Sequence, residues 1–260
     1  SSSSHVAILA RAMGIPTVMG VEELPIHQVH DREIVIDGYL GRIFLEARAE
    51  VKEEYRRLAA EEQALSASLR DLAQELAMTP DGERVPVLAN SGLLADIKPS
   101  LDSGAEGIGL YRTEVPFMVR DRFPSEAEQA EIYRQVLESF PDCPVTLRTL
   151  DIGGDKNLPY FPIHEENPFL GWRGIRITLD HPEIFLTQLR AMLKANQGLG
   201  NLNILFPMIS SPDELDEAAA LLERACCELT DEGLPVAAPR LGVMIEVPSA
   251  VYMAPELAAR

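Results

Sequence analysis

The feature that most constrains this sequence is an alternation, through its second two thirds, of short apolar runs with longer amphipathic stretches. The apolar runs fall at residues 85–90, 107–111, 145–150, 204–209 and 241–247. They are strand-sized and largely continuous, as suits strands covered on both faces. Between them, residues 125–139, 182–195 and 212–229 carry apolar side chains at helical spacing, and two of these stretches open on Pro-Ser or Ser-Pro N-cap chemistry. About five βα units in succession imply an α/β fold with a parallel sheet and right-handed crossovers. A closed (β/α)8 TIM-type barrel takes about 250 residues, against roughly 180 after residue 80. Two architectures remain, an open doubly wound sheet or an incomplete barrel. The abrupt end at Arg260 favours the incomplete barrel.

The first third reads differently. Residues 6–13 form a short Ala-rich helix stopped by Gly14-Ile15-Pro16, Thr17-Val18-Met19 a strand, and 31–45 a hairpin turning at Asp37-Gly38. This is the C-terminal part of a small α/β domain, residues 1–46. Across 47–78, Val51, Tyr55, Leu58, Leu65, Leu69, Leu72 and Leu76 recur at spacings of 3, 4 and 7. They predict an amphipathic linker helix of roughly 30 residues, about 45 Å long. Thr79-Pro80-Asp81-Gly82 breaks it, which sets the boundaries at 47–80 and 81–260.

A net charge of −18 excludes a nucleic-acid binder, and no apolar run is long enough for a membrane span. Three cysteines without C-x-x-C spacing suit a cytoplasmic protein rather than a disulfide framework. In so acidic a chain, an anionic substrate needs a local concentration of positive charge. The C-terminal ends of the strands, where barrel chemistry resides, supply it. They read Tyr111-Arg112-Thr113-Glu114, Leu147-Arg148-Thr149-Leu150-Asp151 and Met244-Ile245-Glu246-Val247. Arginine forks bind phosphate, and a carboxylate such as Glu246 can hold a Mg²⁺ that bridges phosphate oxygens. The loop Ile152-Gly153-Gly154-Asp155-Lys156 adds unhindered backbone N–H groups. His5 stands at a helix start with Arg11 in the second turn, where an imidazole can attack phosphorus. Its residue context alone favours an ordinary surface histidine. Metal binding by His27 and His30 is a weaker reading still, and Trp172 either packs or lies near the site.

Ser4-His5-Val6-Ala7-Ile8-Leu9-Ala10-Arg11 resembles the phosphohistidine motif of the phosphoenolpyruvate-utilising enzymes. Gly107-Ile108-Gly109-Leu110-Tyr111-Arg112-Thr113-Glu114 and the runs 147–156, 165–176 and 242–248 resemble the barrel of Enzyme I of the bacterial phosphotransferase system. Residues 171–185 are most similar to its nitrogen-regulatory branch. The resemblance covers nearly the whole chain. It implies that His5 is phosphorylated at Nε2 and that Arg112 and Arg148 bind the phosphate of phosphoenolpyruvate (PEP). Arg173 would support them, and Glu246 would be one of two Mg²⁺ ligands. It further implies a swivelling phosphohistidine domain ahead of the linker helix, onward transfer to a histidine-containing phosphocarrier protein, release of pyruvate, and a homodimer.

The chain also departs from the family pattern. Ser1 to Ser4 stand where the family has Gly-Gly and a basic residue. The second metal ligand, a third substrate arginine and the cysteine acid would lie beyond Arg260. Cys143 precedes its strand, and Cys226 and Cys227 sit on a helix, so none replaces that acid. The chain alone is therefore expected to be catalytically incomplete. The alternatives are a relative of pyruvate phosphate dikinase or PEP synthase, and a non-catalytic fragment that only binds a partner.

Overall fold

A computed structural model describes residues 10, 14–22, 29–30, 32–73, 75–154 and 156–260. His5, Arg11 and His27 lie outside the described residues. The chain divides into two compact units, residues 1–76 with 102–104, and 77–101 with 105–260.

In the first unit the expected hairpin forms. β1 (Val35–Asp37) pairs antiparallel with β2 (Arg42–Phe44). Asp37 organises the turn, its carboxylate accepting the N–H groups of Tyr39 at 3.0 Å and Leu40 at 2.8 Å. Helix α1 (Ala49–Leu72) has 24 residues and ends six before the expected 78. Lys52 and Arg56 pair with Glu33 at 2.8 and 2.6 Å, and the Tyr55 hydroxyl donates to Asp37 at 2.8 Å. The seam is partly covered only at Val51 and Tyr55, in the first two turns; Leu58, Leu65, Leu69 and Leu72 are exposed.

The second unit holds a five-stranded parallel sheet: β3 (Ala89–Ser91), β4 (Ile108–Arg112), β5 (Val145–Arg148), β6 (Leu202–Phe206) and β7 (Arg240–Val243). Each strand lies beside its sequence neighbour, in the order β3-β4-β5-β6-β7. A doubly wound sheet reverses its strand order at a switch point, whereas a barrel does not, so the order observed is that of a barrel segment. No closed barrel forms among the described residues. The first strand is shorter than the run 85–90 predicts. Val85, Val87 and Leu88 stay partly exposed, and an apolar run that finds no cover gives no strand. β6 ends short of 209, just before Met208 turns to a positive φ of 60°.

The helices that follow the strands are α2 (Ile97–Asp102), α3 (Val115–Met118), α4 (Glu126–Glu138), α5 (Ile175–Asp180), α6 (Pro182–Ala195), α7 (Pro212–Asp231), α8 (Pro248–Tyr252) and α9 (Ala254–Ala258). Ser125 and Glu128 cap α4 reciprocally, and Ser211 accepts the Glu214 N–H at the start of α7. Val136, Leu137, Phe185, Leu189, Met192, Ala225 and Leu229 bury the inner faces of α4, α6 and α7 in one cluster with Ile108, Val145, Leu147, Ile204 and Phe206. Each large aliphatic or aromatic side chain there contributes roughly 1.5–3 kcal/mol of burial. On the outer side, Arg190 of α6 clamps the layer by pairing with Glu126, Glu228 and Glu232. Among the described residues no helix is long and apolar enough to cross a membrane.

Candidate functional site

Parallel pairing brings the expected arginines together. Arg112, the last residue of β4, is the register partner of Arg148, the last residue of β5. Just past β4, the Thr113 hydroxyl donates to the Arg148 carbonyl at 2.8 Å. The ladder continues on the other side, with the Thr149 N–H on the Leu205 carbonyl and the Met244 N–H on that of Phe206. The C-terminal ends of β4 to β7 therefore form one continuous rim. Arg112 is exposed and packs over Gly92, where a Cβ would lie 3.3 Å from its Nε. Arg148 is buried, its side chain 6% exposed.

Arg148 is held by a compact ion cluster. Its Nη2 lies 2.8 Å from Glu114 Oε1 and 3.2 Å from Asp151 Oδ2. The Lys156 ammonium bridges the same two carboxylates, at 2.7 and 2.8 Å. Arg173 grips Asp151 with two nitrogens, Nε to Oδ1 at 3.0 Å and Nη2 to Oδ2 at 3.2 Å. Burial pushes the Asp151 carboxyl up. The hydrogen bond from Arg173 and the charges of Lys156 and Arg148 outweigh it and hold the group below its ordinary value. The rim thus gathers four cations, Arg112, Arg148, Lys156 and Arg173, in a chain of net charge −18. That is the local concentration an anionic ligand requires.

The cluster leaves donors to spare. The carboxylates take Arg148 Nη2, while among the described residues Nη1 meets only the Met244 sulfur at 3.7 Å, a weak acceptor. Arg148 Nε, Glu114 Oε2 and Thr149 Oγ1 are buried without a hydrogen-bond partner among the described residues. Buried polar atoms are ordinarily satisfied, so three orphans at one pair of strand ends set this part of the rim apart, and of the three Arg148 Nε is the donor an anion could use.

Backbone geometry shapes the approach. Gly174 adopts φ 57°, and a Cβ there would sit 3.0 Å from Met208 Cγ and 3.3 Å from Asp151 Oδ1. Only glycine lets the chain carry Arg173 past β6 to Asp151. Glu246 is exposed and follows β7; its Oε1 accepts the Met208 N–H at 2.8 Å, tying the ends of β6 and β7 together. Its second oxygen makes no hydrogen bond among the described residues. No group of three or more His, Cys, Asp or Glu able to hold a metal occurs among them either. A lone carboxylate with a spare oxygen beside a cationic rim still fits Mg²⁺, which keeps several waters and takes one or two carboxylates plus substrate phosphate.

Of the residues singled out from sequence, Arg112, Arg148 and Arg173 meet at the rim, and Glu246 joins it through Met208. Glu114, Asp151 and Lys156, which knit the cluster, are not candidates on sequence spacing alone, though the paired strand ends and the Gly-Gly loop contain all three. Trp172 packs with Phe161 and His181, and its Nε1 donates to Asp180.

The family model described as "PEP-utilising enzyme, PEP-binding domain" matches residues 66–260, and "PEP-utilising enzyme, mobile domain" matches 1–41. A protein of Escherichia coli (strain K12) named "Phosphoenolpyruvate-dependent phosphotransferase system" is 52% identical over all of this chain and 35% of its own length. A protein of the same name from Salmonella typhimurium (strain LT2) is 53% identical with the same coverage. A "Phosphoenolpyruvate-protein phosphotransferase" of Staphylococcus carnosus (strain TM300) is 44% identical over 97% of the chain and 44% of its own length. The chain thus spans about a third of the first two, which are the longer proteins, and under half of the third. The sheet order, the arginine pair at its rim and a family match across residues 66–260 agree: the chain belongs to the PEP-utilising enzymes.

Proposed function

We propose that this chain contains the phosphoryl acceptor and part of the substrate site of a PEP-protein phosphotransferase. The observation that carries this reading is the register pairing of Arg112 with Arg148, a pair of guanidinium groups beside a buried carboxylate–lysine cluster. PEP binds with its phosphate against Arg112 and the free edge of Arg148, while Glu114 and Asp151 keep the Arg148 fork from turning away. Arg173 acts through Asp151. As the acceptor nitrogen bonds to phosphorus and PEP's P–O bond breaks, that bond's electron pair moves onto the enolate oxygen, while the three equatorial oxygens carry the charge of the phosphoryl group. Fixed guanidinium groups stabilise that charge without reorganising. The acceptor is Nε2 of His5, supported by the Ser-His-Val-Ala run and the mobile-domain match to residues 1–41. Mg²⁺, when bound at Glu246, supplies neutralisation of phosphate charge.

On this reading, residues 1–46 end a swivelling phosphohistidine domain, 47–80 are the linker that carries α1, and 81–260 form the PEP-binding barrel. Phosphohistidine passes its group to a histidine-containing phosphocarrier protein, pyruvate is released, and the protein works as a cytoplasmic homodimer. The greater length of the two most similar relatives cited supports the nitrogen-regulatory branch, in which a sensory domain precedes the phosphohistidine domain. Calorimetric titration of the chain with PEP and Mg²⁺ tests the site. Binding that disappears in Arg148→Met is expected; equal binding in both proteins contradicts the assignment.

A further inference from the structure

A buried amide lies directly behind the two arginine-bearing strand ends. Gln188 of α6 is 0% exposed. Its Oε1 accepts the Leu150 N–H at 2.8 Å, just past β5. Its Nε2 donates to Thr113 Oγ1 at 3.1 Å, just past β4, and to the Tyr133 hydroxyl at 3.0 Å on α4. The orientation is forced, because a backbone N–H can only donate and so fixes Oε1 toward Leu150. Both hydroxyls have committed their protons elsewhere, Thr113 to the Arg148 carbonyl and Tyr133 to Gln129 Oε1 at 3.1 Å. They offer Nε2 only lone pairs, so the network has one direction. A leucine at 188 would suit the surrounding apolar cluster, and a polar chain buried there is worth keeping only when fully satisfied. What this one joins is the Arg112-Thr113-Glu114 segment to the Arg148–Asp151 segment.

We propose that Gln188 is a positioning residue for the anion site. By holding Thr113 and Leu150 in a single amide, it sets the spacing of the two arginine-bearing strand ends, so that Arg112 and Arg148 meet one phosphate together. The inference rests on the reading of those arginines as the PEP site.

The test uses the full-length protein, with KM and kcat for PEP-dependent phosphoryl transfer and the melting temperature measured together. Gln188→Met keeps the length and removes every hydrogen bond. Tyr133→Phe removes the far hydroxyl and leaves the bonds to Leu150 and Thr113 intact. Positioning predicts a KM raised roughly tenfold or more in Gln188→Met and by less than about twofold in Tyr133→Phe. A merely structural role lowers kcat through the active fraction and leaves KM alone. An unchanged KM in Gln188→Met, or equal rises in both variants, overturns the proposal. If Gln188→Met does not fold, Thr113→Ser and Thr113→Val take its place. Serine near wild type with valine about tenfold weaker supports it, and equal KM values in the two overturn it. Absence of PEP binding by the wild type would sink the site reading itself. Normal wild-type binding with an unaltered Gln188→Met sinks only this inference.

Discussion

Replacing Asp151 with asparagine removes one of two carboxylates that hold three cations at the strand ends. The wild-type side chain is 2% exposed and contacts Arg148, Lys156 and Arg173 within 3.2 Å. Asparagine keeps one acceptor for Arg173 but turns an N–H donor toward the Lys156 ammonium. Breaking a buried ion pair from one side costs about 3–5 kcal/mol. Arg173 and Lys156, 14% and 20% exposed, can recover some hydration, while Arg148 keeps Glu114, so the low end applies. About 3 kcal/mol corresponds to a melting temperature roughly 6–12 °C lower for a unit of this size. The effect should also depend on pH. The Asp151 carboxyl is held below its ordinary value in the folded protein. Its contribution is therefore fully present above the unfolded value of about 3.9 and is lost as pH falls through the lower folded value. Calorimetry across this range should show the gap between wild type and Asp151→Asn narrowing below about pH 4. A gap under about 1 kcal/mol at neutral pH, or one that persists in acid, would refute the picture of a tightly paired cluster.

Gly174→Ala should destabilise by about 1–2 kcal/mol from the left-handed backbone alone, and should weaken PEP binding by pushing on Met208 and Asp151; a titration matching wild type would contradict this. Glu246→Gln keeps an oxygen for the Met208 N–H, so its melting temperature should stay near wild type while the Mg²⁺-dependent increment of PEP affinity disappears. Arg190→Met should cost about 1–2 kcal/mol, since its glutamate partners are only partly buried, and should leave PEP affinity unchanged because it lies on the outer helical layer. Ser125→Ala should cost about 1 kcal/mol in thermal denaturation through loss of the α4 capping box.

The sheet was legible because its strands carry short apolar runs, and the helices because their ends carry cap chemistry. The run 182–195 coincides with α6, and 125–139 brackets α4 between Ser125 and Ser139. Two boundaries moved where apolar sequence meets no partner, at Val85 and Val87 ahead of β3 and at Leu76 beyond α1; β6 instead stops at Phe206, before the positive φ of Met208, although Met208 and Ile209 are buried. The arginines were visible as repeated Arg-Thr pairs at strand ends. Their supporting cluster was not, because Asp151 and Lys156 are separated by a glycine turn and only the fold brings both to Glu114. Gln188 was equally hidden. A glutamine on an apolar helix face carries no signal until its three partners, from two strand ends and a neighbouring helix, are known.

The central claim is that phosphoryl passes from a PEP held by Arg112 and Arg148 to His5. The most direct measurement is the incubation of the full-length protein with PEP labelled in its phosphate, followed by recovery of label on the protein. Acid-labile label on wild type, absent from His5→Ala and strongly reduced in Arg148→Met, is the predicted result. Label that persists in His5→Ala would contradict the account.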